Sequence, residues 1–242
     1  MIAQICEESK CTGCLACMNL CPCGAITCQE REDGNVIPQI DPEKCIECHR
    51  CVQGCPENHV KEKHEPRQCY AAWQKDRKER KYSASGGIAF GFYKRWIQNA
   101  GIVYGAAFNE KGILTQQKAE TLEEIKKFRG SKYAQSHTGF VYSDIGKELK
   151  KGEKVLFIGT PCQIAGLKAY LGKASDALVT IDLICHGTPP MSYLEEYIKE
   201  IAGAEKVDRV SFRGEKDYHM VFYSQDRVVY SQRFRKDLYY TA

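Results

Sequence analysis

Two cysteine runs with identical spacing limit what this chain can fold into more than any other feature. In each run, three cysteines are separated by two residues, and a fourth follows after three more, directly before a proline. The runs are Cys11, Cys14, Cys17, Cys21 and Cys45, Cys48, Cys51, Cys55. Such a run supplies three thiolates to one 4Fe–4S cluster, while its fourth cysteine reaches the neighbouring cluster. The spacing predicts two 4Fe–4S clusters, one on Cys11, Cys14, Cys17 and Cys55, the other on Cys45, Cys48, Cys51 and Cys21.

Zinc is the alternative for these runs, because pairs of cysteines two residues apart also begin structural zinc sites. A zinc ion does not explain a third cysteine at the same step, followed by Cys-Pro in both runs, so iron–sulfur is favoured. Four cysteines match no second ligand set and stay unassigned: Cys6, Cys23, Cys28 and Cys69. His49 lies inside the second run, as a hydrogen-bond donor to a cluster sulfur or as an exposed loop residue.

The distribution of cysteines divides the chain. Eleven of the 14 cysteines precede residue 56, and the later sequence alternates apolar runs with amphipathic stretches, as α/β domains do. We predict an α+β ferredoxin-like domain with two clusters over residues 1–60, a charged linker over 61–81, and an α/β domain with a mixed sheet over 82–242. The linker mixes both signs of charge, which favours a solvated segment over a docking patch for an acidic redox partner.

Charge and hydropathy exclude some classes of partner. The net charge of +4 comes from 35 basic and 31 acidic residues, which gives no support to nucleic-acid binding. No run approaches the roughly 18 apolar residues of a membrane-spanning helix, so we expect no direct membrane insertion. The cysteine spacing suits metal rather than disulfides, and no leader pattern is seen. We expect a cytoplasmic protein.

Glycine-containing motifs mark the start of the second domain. Ser83-Ala84-Ser85-Gly86-Gly87 precedes a helix predicted over 88–98, where a helix N-terminus suits an anion such as a phosphate or a flavin, or is an ordinary cap. A strand follows over 102–108. Thr121 and Glu124 form a capping box for a short helix ending at Lys127. The segment Arg129-Gly130-Ser131-Lys132-Tyr133 then brings two cations together.

Two predicted strands end at lone cysteines. The strand over 154–158 leads into Gly159-Thr160-Pro161-Cys162-Gln163 and a helix to about residue 171. The strand over 177–184 leads into Cys185-His186-Gly187 and a helix over 192–202. If these strands are parallel neighbours, both cysteines lie on one rim of the sheet, where α/β proteins bind ligands. A redox or cofactor role competes with two ordinary explanations, a small core residue and an inert thiol.

Together these motifs resemble the coenzyme F420 hydrogenase/dehydrogenase beta-subunit family. The resemblance implies an iron–sulfur flavoprotein with FAD, whose cofactor-binding residues correspond to Ser85, Gly86, Gly87, Arg129, Lys132, Gly159, Thr160 and Pro161. It also implies a third cluster on Cys162 and Cys185, completed by a later Cys-x2-Cys pair. The sequence stops at Ala242 without such a pair, soon after strand patterns over 207–212, 219–223 and 228–234, so we expect a chain truncated at its C-terminus.

Three classes of function follow. The first is a flavin-dependent oxidoreductase subunit, which passes single electrons between two clusters and a flavin that reduces or oxidises an organic substrate such as coenzyme F420. The second is a flavin-free electron-transfer subunit that docks a partner enzyme, and the third is a redox sensor based on Cys162 and Cys185. The expected partners are a small-molecule substrate and a redox protein, either a ferredoxin or a hydrogenase/dehydrogenase subunit. No catalytic residue is assigned.

Overall fold

The computed structural model describes residues 4–59, 65–213 and 218–241. The predicted boundary between the cluster domain and the linker falls at residues 60–64, outside the described residues. Residues 1–3 of the predicted cluster domain, and 214–217 and 242 of the predicted α/β domain, also lie outside them. Among the described residues, no helix combines the length and apolar content needed to cross a membrane.

The described residues of the N-terminal segment contain two short α-helices, two 3-10 helices (Glu8–Lys10 and Pro56–Asn58) and one hairpin. Helices α1 and α2 span Ala16–Leu20 and Arg50–Gln53, and the antiparallel strands β1 and β2 span Ile26–Glu30 and Val36–Ile40. Leu15 and His49 directly precede the two helices, and both have left-handed backbone angles, with φ of 61° and 57°. The repeated cysteine spacing therefore produces the same local turn twice.

The described part of the linker, residues 65–81, contains one short helix, α3, which spans Arg77–Lys81. The Asp76 carboxylate caps it by accepting from the backbone N–H groups of Lys78 at 2.8 Å and Glu79 at 3.3 Å. A carboxylate at this position satisfies donors that have no partner within the helix. The helix places Glu79 on the side that faces the α/β domain.

A four-stranded mixed sheet forms the centre of the α/β domain, in the order β4-β3-β5-β6. These strands are β3 (Ile102–Phe108), β4 (Leu114–Ala119), β5 (Val155–Gly159) and β6 (Leu178–Asp182). β4 pairs with β3 in antiparallel fashion, whereas β3, β5 and β6 are parallel. The predicted mixed sheet is confirmed.

Helices cover both faces of this sheet. Helix α4 (Ile88–Gln98) and a 3-10 helix (Glu124–Phe128) pack on one face, and α5 (Val141–Lys150) and α6 (Pro161–Leu171) pack on the other. The side chains of β5 alternate between these two layers, as the period of two in a strand requires. A capping box was predicted for the short helix over 121–127. Its hydrogen bonds do form, although the helix is of the 3-10 type and begins at Glu124.

The cluster segment packs on the α5 and α6 face. Ala16 of α1 is fully buried and shares a core with Tyr142, Phe157 and Ile164 of the α/β domain. An alanine at this position lets the short helix approach the sheet layer closely, since a larger side chain would overfill the contact. This contact fixes where the first cysteine run lies relative to the sheet.

The last part of the chain forms an antiparallel sheet covered by helices. Its strands are β7 (Arg209–Ser211), β8 (His219–Ser224) and β9 (Arg227–Arg233), and its helices are α7 (Met191–Ala202) and α8 (Leu238–Thr241). Aromatic side chains fill the core between them, among them Tyr197, Phe222 and Tyr239. The three late strand patterns in the sequence correspond to β7, β8 and β9.

Candidate functional site

The first cysteine run lines a cavity together with the last cysteine of the second run. The lining cysteines are Cys6, Cys11, Cys14, Cys17 and Cys55. Cys17 and Cys55 are buried, whereas Cys11 and Cys14 are partly exposed. The structure therefore brings together the four residues predicted to hold the first cluster, and it adds Cys6.

The second run lines a separate cavity with the last cysteine of the first run. The lining cysteines are Cys21, Cys23, Cys45, Cys48 and Cys51. Cys51 is buried, but Cys48 and Cys23 are exposed, and the Ile46 side chain between the run's first two cysteines is 63% exposed. Two of the five cysteines that line this cavity are therefore exposed, whereas none of those that line the first cavity is.

The chemistry of both cavities suits clusters held by thiolates. Cysteine is the ligand that iron–sulfur clusters require, and each cavity carries the four cysteines that one cluster needs. Among residues 4–59, 65–213 and 218–241, no group of three or more metal-ligating side chains converges as around a single ion. The predicted ligands instead line the walls of two cavities.

Burial controls the protonation of these thiols when no cluster is bound. It raises the pKa of Cys14 to about 11 and also raises the pKa values of Cys17 and Cys51. Cluster ligands are thiolates, so binding must release these protons. When bound, the clusters supply one-electron chemistry, and the protein holds and insulates them.

The first cavity contacts the α/β domain through the backbone of Cys14. The Cys14 carbonyl accepts hydrogen bonds from the Tyr142 hydroxyl at 2.9 Å and from Thr138 Oγ1 at 3.0 Å. Burial raises the pKa of Tyr142, as do the smaller effects of nearby Cys14 and Cys162, so its hydroxyl remains a donor. Cys162 also lies close enough to Cys14 to raise the pKa of that thiol.

Cys162 and Cys185 follow neighbouring parallel strands, which is the condition under which both were expected on one rim of the sheet. Gly159 at the end of β5 pairs with Asp182 at the end of β6. The Cys162 sulfur lies 3.1 Å from Thr160 Oγ1, close to the first cavity. Cys185 is exposed, and its sulfur accepts from the Gly187 backbone N–H at 3.4 Å. Cys162 thus lies beside a predicted cluster ligand, whereas Cys185 lies on an exposed loop.

The serine-glycine turn predicted to bind flavin is covered by the linker. The Gly86 carbonyl accepts from the Gln74 backbone N–H at 2.8 Å, and the Gly87 carbonyl accepts from Gln74 Nε2 at 3.1 Å. A Cβ atom at Gly86 would lie 2.6 Å from the Ala72 carbonyl oxygen. Ser85 adopts the left-handed region, with φ of 52°. The close backbone approach expected here is made by the chain itself.

The two predicted cationic residues also bind the chain. The Arg129 guanidinium pairs with the Glu79 carboxylate of α3 and stacks 4.2 Å from the Phe90 ring centroid. Lys132 Nζ donates to the carbonyls of Lys127 and Arg129, each at 3.0 Å. It thus satisfies carbonyls at the C-terminal end of the 3-10 helix. The linker predicted as a solvated segment therefore makes a specific ion pair with the α/β domain.

The glycine motif after β5 is tied into a buried amide network. Thr160 begins α6 with a capping box, and its backbone N–H donates to Gln163 Oε1 at 3.2 Å. Gln163 Nε2 donates to the Ser136 carbonyl at 3.0 Å, and Gln116 Nε2 donates to Gln163 Oε1 at 3.0 Å. A Cβ atom at Gly159 would lie 3.0 Å from Gln163 Oε1, which explains the glycine. Pro161 occupies the first helical turn, where it needs no hydrogen-bond donor.

Several of the residues predicted for flavin therefore contact other parts of the chain. An open aromatic cavity of about 320 Å³ lies elsewhere, and the sequence reasoning missed it. Its lining residues are Tyr133, Pro189, Tyr218, Phe234, Tyr239 and Tyr240. The signal for it lay in the tyrosines of the last segment, whose convergence depends on the fold of β8, β9 and α8.

Two cysteine-lined cavities beside an α/β sheet define an iron–sulfur redox protein. Residues 10–59 match the 4Fe–4S dicluster domain, and residues 152–237 match the family defined by the C terminus of the coenzyme F420 hydrogenase/dehydrogenase beta subunit. The C-terminal part of the chain is therefore similar to the coenzyme F420 hydrogenase/dehydrogenase beta-subunit family. The resemblance inferred from the motifs, with its N-terminal iron–sulfur region, is confirmed.

Known proteins of similar sequence are components of redox complexes. One subunit of the F(420)H(2) dehydrogenase of Methanosarcina mazei is 26% identical over 200 residues, covering 76% of this chain and 55% of that protein. One subunit of the Na(+)-translocating ferredoxin:NAD(+) oxidoreductase complex of Acetobacterium woodii is 44% identical over 48 residues, 20% of this chain and 13% of that one. The chain therefore spans about half the length of the dehydrogenase subunit. A chain of the F420-reducing NiFe hydrogenase complex of Methanosarcina barkeri aligns with a TM-score of 0.47 and 19% identity, over 67% of this chain and 59% of that chain.

Proposed function

We propose that this chain is an iron–sulfur electron-transfer subunit of an oxidoreductase of the coenzyme F420 hydrogenase/dehydrogenase type. The two cysteine-lined cavities and the family matches support this proposal. So do the names of the similar proteins, which are subunits of a dehydrogenase and of a ferredoxin-dependent complex. The expected partner is a redox protein, a ferredoxin or another subunit of the same complex.

The main support for the proposal is the contact between the first cavity and the α/β domain. Tyr142 and Thr138 both bind the Cys14 carbonyl, and Ala16 is buried against the helices of the sheet layer. A cluster in this cavity would lie directly beside the domain that carries the family's C-terminal region. Electrons therefore have a short path between the first cluster and the α/β domain.

The second cavity suits exchange with an external partner. Its exposed Cys48 and Ile46 lie where a partner surface can approach the cluster, and an exposed apolar side chain is a common element of such contacts. We therefore propose an order in which the partner exchanges electrons with the second cluster, and the second cluster exchanges them with the first.

Matched substitutions in the full-length chain test this order. Cys17 and Cys51 occupy the same place in the two runs, and both are buried. A reduced ferredoxin serves as electron donor. In Cys17→Ala the second cluster remains and should still be reduced rapidly. In Cys51→Ala only the first cluster remains, and its reduction should be much slower. Electron paramagnetic resonance after rapid freezing measures both rates. Equal rates in the two variants would contradict the order.

Flavin use is a second candidate, favoured by the aromatic cavity. Flat ring systems stack on aromatic side chains, and six residues here line a cavity of about 320 Å³. FAD, with an organic substrate such as coenzyme F420, would make the chain a flavoenzyme. Release of flavin by denaturation of anaerobically purified protein tests this directly. We expect about one flavin per wild-type chain. A lower flavin content in Phe234→Ala, with no change in Arg129→Gln, would place the ring in the aromatic cavity. Absence of flavin favours the electron-transfer role.

The redox-sensor function stays a prediction of the sequence. It requires Cys162 and Cys185 to form a reversible disulfide. Thiol counting by mass spectrometry after mild oxidation, compared with Cys185→Ser, measures whether that bond forms.

A further inference from the structure

The second cavity contains one more cysteine than a cluster needs. Cys23 lines it together with the four predicted ligands, and the Cys23 and Cys21 sulfur atoms are 3.7 Å apart. The same place in the other run is occupied by Glu57, which lines the first cavity. The cysteine motif itself therefore does not require a sulfur at position 23.

Cys21 and Cys23 share the same backbone surroundings. The Ala25 backbone N–H donates to the Cys21 sulfur at 3.2 Å, and the backbone N–H groups of Ala25 and Ile46 also face the Cys23 sulfur. Peptide N–H bonds of this kind stabilise cluster sulfurs and set their electronic properties. A thiolate at position 23 would therefore find the hydrogen-bond donors that a cluster ligand uses.

Exposure allows Cys23 to change its orientation. The side chain is exposed and contributes nothing to the buried core of the segment, so a rotation toward the cavity removes no packing. Cys48, a predicted ligand in the same cavity, is exposed, as is the neighbouring Ile46, so water can reach a ligand of this cluster more readily than the buried ligands of the first. Cys6 is an additional cysteine in the first cavity, but only Cys23 lies beside an exposed predicted ligand.

We propose that Cys23 is a reserve ligand of the second 4Fe–4S cluster, which binds the iron site of Cys21 when that bond is broken or Cys21 is absent. In the exchange, the bond between iron and Cys21 Sγ breaks and a bond between iron and Cys23 Sγ forms. The proton of the Cys23 thiol passes to the departing Cys21 thiolate, or to solvent where Cys21 is absent, and no electron is transferred. The inference rests on a cluster binding in the second cavity, as the proposed function requires.

Iron content of anaerobically purified full-length variants tests the proposal. Wild type, Cys21→Ala and Cys23→Ala should each carry about eight irons per chain, whereas the double variant should carry about four. Cys48→Ala is the matched control in the same cavity and should also carry about four. Loss of about half the iron in Cys21→Ala would overturn the proposal, and so would the same loss in Cys23→Ala alone. Only about four irons in wild type would overturn the second cluster itself.

Alkylation gives a direct readout of ligation. In loaded wild type, iodoacetamide should label Cys23, whereas in loaded Cys21→Ala the Cys23 thiolate should be protected by iron. Labelling of Cys23 in both proteins would overturn the proposal.

One comparison does not need Cys21→Ala to fold. Cys23→Ala should lose its second cluster in air several-fold faster than wild type, followed by electron paramagnetic resonance, and equal rates would overturn the proposal.

Discussion

Asn19 connects the cluster segment to the α/β domain, and its substitution provides the sharpest test of the contact between them. Its Nδ2 donates to the Gly139 carbonyl at 2.8 Å, and its Oδ1 accepts from the Ser143 backbone N–H at 3.1 Å. Ser143 lies in the first turn of α5, and Phe140, the residue at the cap position of that helix, supplies no side-chain cap. Asn19 therefore caps α5 from a different part of the chain.

The cost of removing this side chain follows from its contacts. Loss of an N-cap hydrogen bond typically costs about 1 kcal/mol, and loss of a further net hydrogen bond costs about 1 kcal/mol. We therefore expect Asn19→Ala to destabilise the chain by about 2 kcal/mol. For a protein of this size, each kcal/mol lowers the midpoint of thermal unfolding by about 2–4 °C. The expected decrease is about 4–8 °C.

Thermal unfolding followed by far-ultraviolet circular dichroism measures this shift on the anaerobically purified, cluster-loaded chain. Asn99→Ala is the matched control, because Asn99 is exposed and makes a local bond to the Arg95 carbonyl at 2.6 Å. Asn99→Ala should cost at most about 0.5 kcal/mol, so its midpoint of thermal unfolding should decrease much less than that of Asn19→Ala. Asn19→Asp should fall between wild type and alanine, since it retains the acceptor for Ser143. Equal unfolding temperatures of Asn19→Ala and Asn99→Ala would refute this role of Asn19.

Three further outcomes are expected. Burial lowers the pKa of His137 below its usual value of 6.5, and its Nδ1 accepts from the Gly139 N–H at 3.0 Å. The unfolded chain therefore binds this proton more readily, so stability should fall as the pH decreases below about 6.5, and urea midpoints of His137→Ala should depend less on pH. Gly105→Ala should sharply reduce the soluble yield, because a Cβ atom would overlap the Tyr93 hydroxyl. Cluster assembly should be faster at higher pH, since the buried Cys14 thiol must lose its proton, and absorbance during reconstitution follows this rate.

The sequence predicted some elements of the fold closely because their patterns are local. The helix over 88–98 and the strand over 102–108 are found with those bounds. β4 was missed because its centre, Thr115 to Lys118, is polar and resembles a loop. Its burial alternates, and Gln116 is buried because its amide binds Gln163, 47 residues away. The pairing of β4 with β3 is what places Gln116 beside Gln163, and the sequence of β4 alone does not show it.

The candidate site divides in the same way. The grouping of cysteines from both runs follows from a repeated spacing that fixes the same backbone turn twice. The environment of Arg129 does not follow from sequence, because its partner Glu79 lies 50 residues earlier in a linker that was expected to be solvated. The bonds of Tyr142 and Thr138 to Cys14 join segments more than 120 residues apart. Such contacts depend on how the segments pack, which local patterns do not encode.

The different burial of the predicted ligands in the two cavities implies different reduction potentials. Reduction adds a negative charge to a cluster, and a buried site disfavours that charge more than an exposed site does. Cys17 and Cys55 are buried in the first cavity, whereas Cys48 is exposed in the second. The hydroxyl donors of Tyr142 and Thr138 do not offset this difference, because they bind the Cys14 carbonyl rather than its sulfur. The second cluster should therefore have the higher potential, so electrons move more easily from the α/β domain outward than inward. A redox titration of wild type beside Cys51→Ala assigns the two potentials, and a higher potential for the first cluster would contradict the argument.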